Sequence, residues 1–138
     1  MRSEKILRIH VWMVAAMFPL LVELMSMRTL MRLMEWPRRW HPYAGVQRER
    51  IVEIVSRRLR KPWLMRRRRC LRFGFTLFHF LRLAAVPSVL KVAVLGPVPV
   101  GRRTHAHCWV TADGVELDPP LQPAAVLLTC NFQPESER

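Results

Sequence analysis

The pair Asp113-Gly114 constrains the fold more than any other feature of this chain. It stands between "THAHCWVTA" and "VELD", two runs in which strand-forming residues alternate with others. An Asp-Gly pair in that setting marks a two-residue hairpin turn, because both positions accept the positive φ such a turn needs. The turn sets a register: Ala112 faces Val115, Thr111 faces Glu116, Val110 faces Leu117 and Trp109 faces Asp118. Side chains alternate along a strand, so His105, His107, Trp109 and Thr111 share one face with Glu116 and Asp118, and Ala106, Cys108, Val110 and Leu117 share the other. Asp118 then lies diagonally across from His107, at about 7 Å between backbones and within side-chain reach. Glu116 lies one step nearer the turn. A three-residue loop would move Asp118 to the opposite face.

Upstream, the hydrophobic period changes. Residues 6–34 predict helix, with Leu20, Leu21, Leu24, Met27, Met31 and Met34 at three- and four-residue spacing and Arg28 and Arg32 on another face. Pro19 is expected to end or kink the first helix. The stretch "EWPRRWHPYAG", 35–45, reads as a connector, and a short helix follows over 47–60 until "KPW" breaks it. From Cys70 to about Ala85 the pattern predicts a largely buried helix that stops before Pro87. Gly74 inside it costs about 1 kcal/mol relative to Ala, which points to close approach of another backbone. Strands are predicted at Val89–Leu95, Thr104–Ala112 and Val115–Asp118, with "GPVPVGRR" as a loop and "AAVLLTC" as a last strand or a short helix. Helices first and a small antiparallel sheet after them give an α+β fold. The chain divides into an N-terminal helical segment and connector (1–45), a core (46–130) and a polar tail (131–138).

The longest uncharged apolar run, Val11 to Val22, has twelve residues and is closed by Glu23. A membrane-spanning helix needs about 20. The run is therefore expected to be a buried helix, with an amphipathic helix at a membrane interface as the alternative. Six of the eight methionines fall between positions 13 and 34, which suits either core packing or an adaptable docking surface. Charge is lopsided, with 23 Lys and Arg against 10 Asp and Glu and a net charge of +13. Such a field attracts nucleic acid, anionic lipid or an acidic partner. The odd count of three cysteines, without a secretory signal, argues against a disulfide framework and for a reducing cytoplasm.

Cys70 opens the fourth helical segment directly after Arg66, Arg67, Arg68 and Arg69. The positive end of a helix and neighbouring cations stabilise a thiolate, and the first-turn N–H groups can cradle an oxyanion. His107 is the candidate base and Asp118 the candidate acid that holds it. The bland alternatives are a buried small hydrophobe at Cys70 and a solvated basic face before it. His105, His107 and Cys108 together suggest zinc, but Cys108 points away from both histidines and no second ligand pair exists, so no metal or cofactor is expected.

Taken in order, "RRRRC" opening a helix, then "AHCWV", "DG" and "ELDPP", the chain resembles the transglutaminase-like cysteine proteases over Cys70 to about Pro120. Within that fold it is most similar to the leader peptidases of lasso peptide biosynthesis. The resemblance implies a transglutaminase/papain-like core, in which a nucleophile helix packs on a small antiparallel sheet, preceded by N-terminal helices. It assigns Cys70 as nucleophile, His107 as base and Asp118 as orienting acid. It also implies a precursor peptide as substrate, a separate leader-binding protein, and an asparagine-synthetase-like lasso cyclase that takes the product. The Met-rich N-terminal half would dock the leader-binding protein. Cys108 departs from the family pattern, which has a small residue there, and the loop before the histidine is atypical. Two readings from other classes compete: a basic nucleic-acid-binding module, suggested by the charge and by "EWPRRWHPY", and a membrane-peripheral scaffold using residues 6–34. No nucleic-acid motif is present, so nucleic acid is not among the expected partners, while peripheral membrane contact is compatible with the peptidase.

Overall fold

In the computed structural model, residues 2–35, 40–61, 69–95, 106–120 and 124–134 are described. His105, Arg66, Arg67, Arg68, the loop 96–103 and the last four residues of the tail lie outside them. The order is α1 (Arg2–Leu24), α2 (Met27–Glu35), α3 (Arg48–Leu59), α4 (Arg69–Leu83), β1 (Ser88–Leu95), β2 (Ala106–Ala112), β3 (Val115–Leu117) and β4 (Ala124–Phe132). The strands form one antiparallel sheet in the order β3-β2-β1-β4. The class is α+β, as expected. "AAVLLTC" is a strand rather than a helix, and it continues through Asn131 and Phe132, two residues into the segment read as tail.

The helices before α3 cover the expected span, but the first of them does not end at Pro19. α1 runs through Pro19 to Leu24, and the break falls at Met25–Ser26 instead. Pro19 removes one backbone donor at a cost of about 3 kcal/mol. The helix persists because its apolar stripe packs on both sides of that point: Leu7, Val11, Ala15 and Phe18 are buried before it, with the Phe18 ring 5.8 Å from that of Phe75 on α4, and Leu21 and Val22 pack against the core after it. Ser26 begins the next helix as its cap: its Oγ accepts from the Thr29 N–H at 3.2 Å.

α4 lies at the centre of the fold. Phe75, Leu77, Phe78, Phe80 and Leu81 are fully buried. It ends in a paired-hydrogen-bond stop, Val86 N–H to Leu81 O and Ala85 N–H to Arg82 O, both 2.9 Å, with Ala85 at φ +59° in the position usually held by glycine. Pro87 follows and β1 starts at Ser88, so the chain doubles back and β1 runs against α4. β2 in turn runs against β1, pairing Ser88 with Ala112 and Val94 with Ala106. The start of α4 therefore lies over the end of the sheet where β2 begins.

The core is continuous from α1 and α2 through α3 and α4 to the sheet. Leu90, Val92, Cys108, Val110, Ala112, Cys130 and Phe132 are among the sheet's residues in this core. Gly74 meets Cys108 there: a Cβ on Gly74 would stand 2.6 Å from the Cys108 Sγ and 3.4 Å from its carbonyl oxygen. This is the close approach expected of a glycine inside a helix.

Candidate functional site

The hairpin has the expected register, with Ala112 opposite Val115, Thr111 opposite Glu116 and Val110 opposite Leu117. Asp113 and Gly114 both have positive φ, +48° and +76°. β3 stops at Leu117, and Asp118 turns out of the ladder at φ +59°. That conformation is uncommon for a non-glycine residue and is further disfavoured by the proline that follows, Pro119. Strain of this kind is sustained where the surroundings fix a backbone group in a required place.

The group fixed here is a carbonyl. His107 Nε2 donates to the main-chain oxygen of Asp118 at 2.9 Å. The sequence reading expected the Asp118 carboxylate to hold His107; the contact observed is made by the backbone oxygen of Asp118 and not by its carboxylate. The reason is the turn at Asp118, which swings the carbonyl toward the imidazole. The consequence is a defined tautomer. A carbonyl can only accept, so Nε2 carries the hydrogen and the lone pair of the neutral ring sits on Nδ1. The ring also stacks on Trp109, with centroids 6.0 Å apart and planes 25° from parallel.

Glu116 is engaged elsewhere. It accepts from Trp109 Nε1 at 3.3 Å and pairs with Lys91 at 3.2 Å. The Lys91 ammonium and the Trp109 N–H hold its carboxyl below the usual carboxylate range. Lys91 also lies 5.8 Å from the centre of the Trp109 ring. His107 is left to Asp118.

Cys70 stands in the first turn of α4, part-exposed, beside the exposed Arg69. It is one turn, about 6 Å, before Gly74 on the same side of the helix. Gly74 touches Cys108, the residue after His107. Cys70 and Cys108 are close enough that the charge of one acts on the other: burial first, and then Cys70, push the Cys108 thiol far above the ordinary thiol range. Cys108 is an inert core residue, and Cys130, 3 % exposed on β4, is likewise buried. None of the three cysteines is in a disulfide. Among the described residues, no cluster of three or more His, Cys, Asp or Glu could hold a metal ion.

A cleft of about 270 Å³ gathers the start of α4 and the end of the hairpin. Arg69 and Phe73 line it from α4, Leu117 and Asp118 from the hairpin, and Ser56 and Arg60 from the end of α3. Phe73 and the α3 wall were not foreseen from the sequence. Their apolar spacing reads as ordinary helix, and only the packing of α3 against α4 brings them here. Comparison with protein-family models, curated proteins and solved structures finds no match for this chain.

Proposed function

We propose that the chain is a transglutaminase-like cysteine peptidase that removes the leader from a ribosomally made precursor peptide during lasso peptide maturation. The observation that carries this reading is the His107–Asp118 contact at the end of the sheet over which Cys70 opens α4. An imidazole whose Nε2–H is held by an acceptor presents Nδ1 as a base, and a thiol at a helix start is the complement such a base needs. The resemblance of "RRRRC", "AHCWV" and "ELDPP" to the lasso leader peptidases supplies the substrate class.

In this mechanism, Nδ1 of His107 takes the proton of Cys70, and the thiolate attacks the carbonyl carbon at the end of the leader. First-turn N–H groups of α4 receive the developing oxyanion. The C–N bond breaks as the imidazolium protonates the leaving amine, which is the N-terminus of the core peptide. Water, deprotonated by His107, then hydrolyses the thioester and frees the leader as a carboxylate. The freed core amine is the group a lasso cyclase would join to a side-chain carboxyl. A separate leader-binding protein would present the precursor at the cleft between α3, α4 and the hairpin.

The test is cleavage of a cognate precursor with its leader-binding protein, followed by mass spectrometry. Cys70→Ala is expected to abolish cleavage with unchanged circular dichroism, whereas Cys108→Ala and Cys130→Ala retain most of it. Faster iodoacetamide labelling of Cys108 or Cys130 than of Cys70, or cleavage by Cys70→Ala, would remove Cys70 as the nucleophile.

A further inference from the structure

α1 was expected to be buried, and only one of its faces is. Leu7, Val11, Ala15 and Phe18 are at most 3 % exposed, while Ile6, Ile9, Met13, Met17, Leu20 and Leu24 on the other side are between 48 and 82 % exposed. The 21 residues Glu4–Leu24 have a mean hydropathy of 1.6, enough by length and composition to cross a bilayer. A helix that is apolar all round belongs in a core or in lipid.

Packing favours a position on the bilayer surface over a span through it. Spanning would pull the buried stripe off α3 and α4 and expose Phe75 and its neighbours. It would also break the ion pair of Glu4 with Arg50 that ties the start of α1 to α3.

A second observation indicates which surface. Beside the apolar face, α1 and α3 enclose a groove of about 580 Å³ lined by Arg8, Ile9, Trp12, Ile54, Arg57, Arg58, Lys61 and a single acid, Glu53. Glu53 is already paired with Arg50. The Arg58 guanidinium lies 5.5 Å from the centre of the Trp12 ring, and its buried Nε has no hydrogen-bond partner among the described residues. Ile9 belongs to both the groove and the apolar face. The groove is thus a cationic margin along an apolar stripe, with a tryptophan at the boundary. This arrangement suits acyl chains under the stripe and lipid phosphates against the margin.

We propose that the outward face of α1 and the groove beside it seat the protein on an anionic bilayer surface, with α1 lying in the interfacial plane. The test is flotation of the full chain with vesicles of phosphatidylcholine alone and of phosphatidylcholine with phosphatidylglycerol. The wild type floats with the anionic vesicles, and raising the salt from about 0.1 to 1 M, which shortens the screening length from about 10 to 3 Å, releases it. Met13→Glu/Leu20→Glu and Arg57→Glu/Lys61→Glu each reduce the floated fraction by about tenfold or more, with unchanged thermal unfolding. Both pairs of positions are solvent-facing, so loss of one pair's fold leaves the other as the test. Three results overturn the proposal: failure of the wild type to float, flotation unaffected by either variant, or salt-independent binding to neutral vesicles. A vesicle-free dimer that Met13→Glu dissociates, without flotation, would make the face a protein interface and overturn it too.

Discussion

The orientation of His107 rests on a main-chain oxygen, and this changes what a substitution at Asp118 should do. If a carboxylate held the imidazole as in a serine-protease triad, Asp118→Asn would cost up to about 10⁴-fold in turnover. With the carbonyl as the acceptor, Asp118→Asn keeps the contact, and asparagine tolerates the left-handed backbone at φ +59° better than most residues. We expect Asp118→Asn to lose less than about tenfold and Asp118→Gly to behave similarly, because both preserve the carbonyl's position. Asp118→Val is expected to be the damaging change, since a β-branched side chain is an outlier in that conformation. The comparison uses kcat on a precursor at matched circular dichroism. A loss near 10⁴-fold in Asp118→Asn, with Asp118→Val no worse, would return the role to the carboxylate. Glu116→Gln should be nearly silent, because Glu116 serves Lys91 and Trp109.

Between elements, α4 meets β2 closely at Gly74. Ala is a better helix former than Gly by about 1 kcal/mol, so Gly74→Ala would stabilise an isolated helix. In the fold it brings a methyl group to 2.6 Å from the Sγ of Cys108, a residue 1 % exposed, so the packing there has to shift. Overpacking of this kind costs about 1–3 kcal/mol, so the net effect of Gly74→Ala is a fall in stability. Adding Cys108→Ala removes the sulfur and leaves the added methyl in ordinary contact with the carbonyl, so the double variant should recover most of the loss. Urea denaturation of the four proteins in the cycle measures the coupling. Additive effects would mean that α4 does not rest on β2 at this point. In the proposed mechanism this joint would also set how far the first turn of α4, with Cys70, stands from His107.

At the scale of the whole molecule, α1, the segment before α3 and α4 meet in a part-buried polar knot. His10 Nδ1 and the Tyr43 hydroxyl share a hydrogen bond of 2.8 Å, and the His10 ring stands edge-on to His79, 6.0 Å away, and to Phe80, 5.0 Å away. Burial first, then the charges of His10 and Arg82, lower the His79 pKa to about 4, and burial lowers that of His10. The unfolded chain takes up these protons near pH 6.5, so between about pH 6.5 and 4 it binds more protons than the folded chain. Stability is therefore fully present above pH 6.5 and falls as the pH drops toward 4, by up to about 3 kcal/mol from His79. Denaturant unfolding across that range should show the slope, and His79→Phe should lose most of it. An unchanged slope in that variant would assign the pH dependence to other groups.

The hairpin register, the span of α3 and the close approach at Gly74 were legible in the sequence because each is written within a short window. An Asp-Gly turn, a 3.6-residue period and a glycine amid large apolar residues act through immediate neighbours. That Asp118 lies beside His107 was likewise legible, from the register set by the turn. Tertiary structure decided which atom of Asp118 reaches the imidazole, because that depends on the backbone turn before Pro119. It decided that α1 passes through Pro19, because a stripe buried on other elements outweighs one missing donor. It also decided that one apolar face of α1 points outward. Hydrophobicity states that a surface would gain from cover, but the number of elements available to cover it is fixed only when the chain packs.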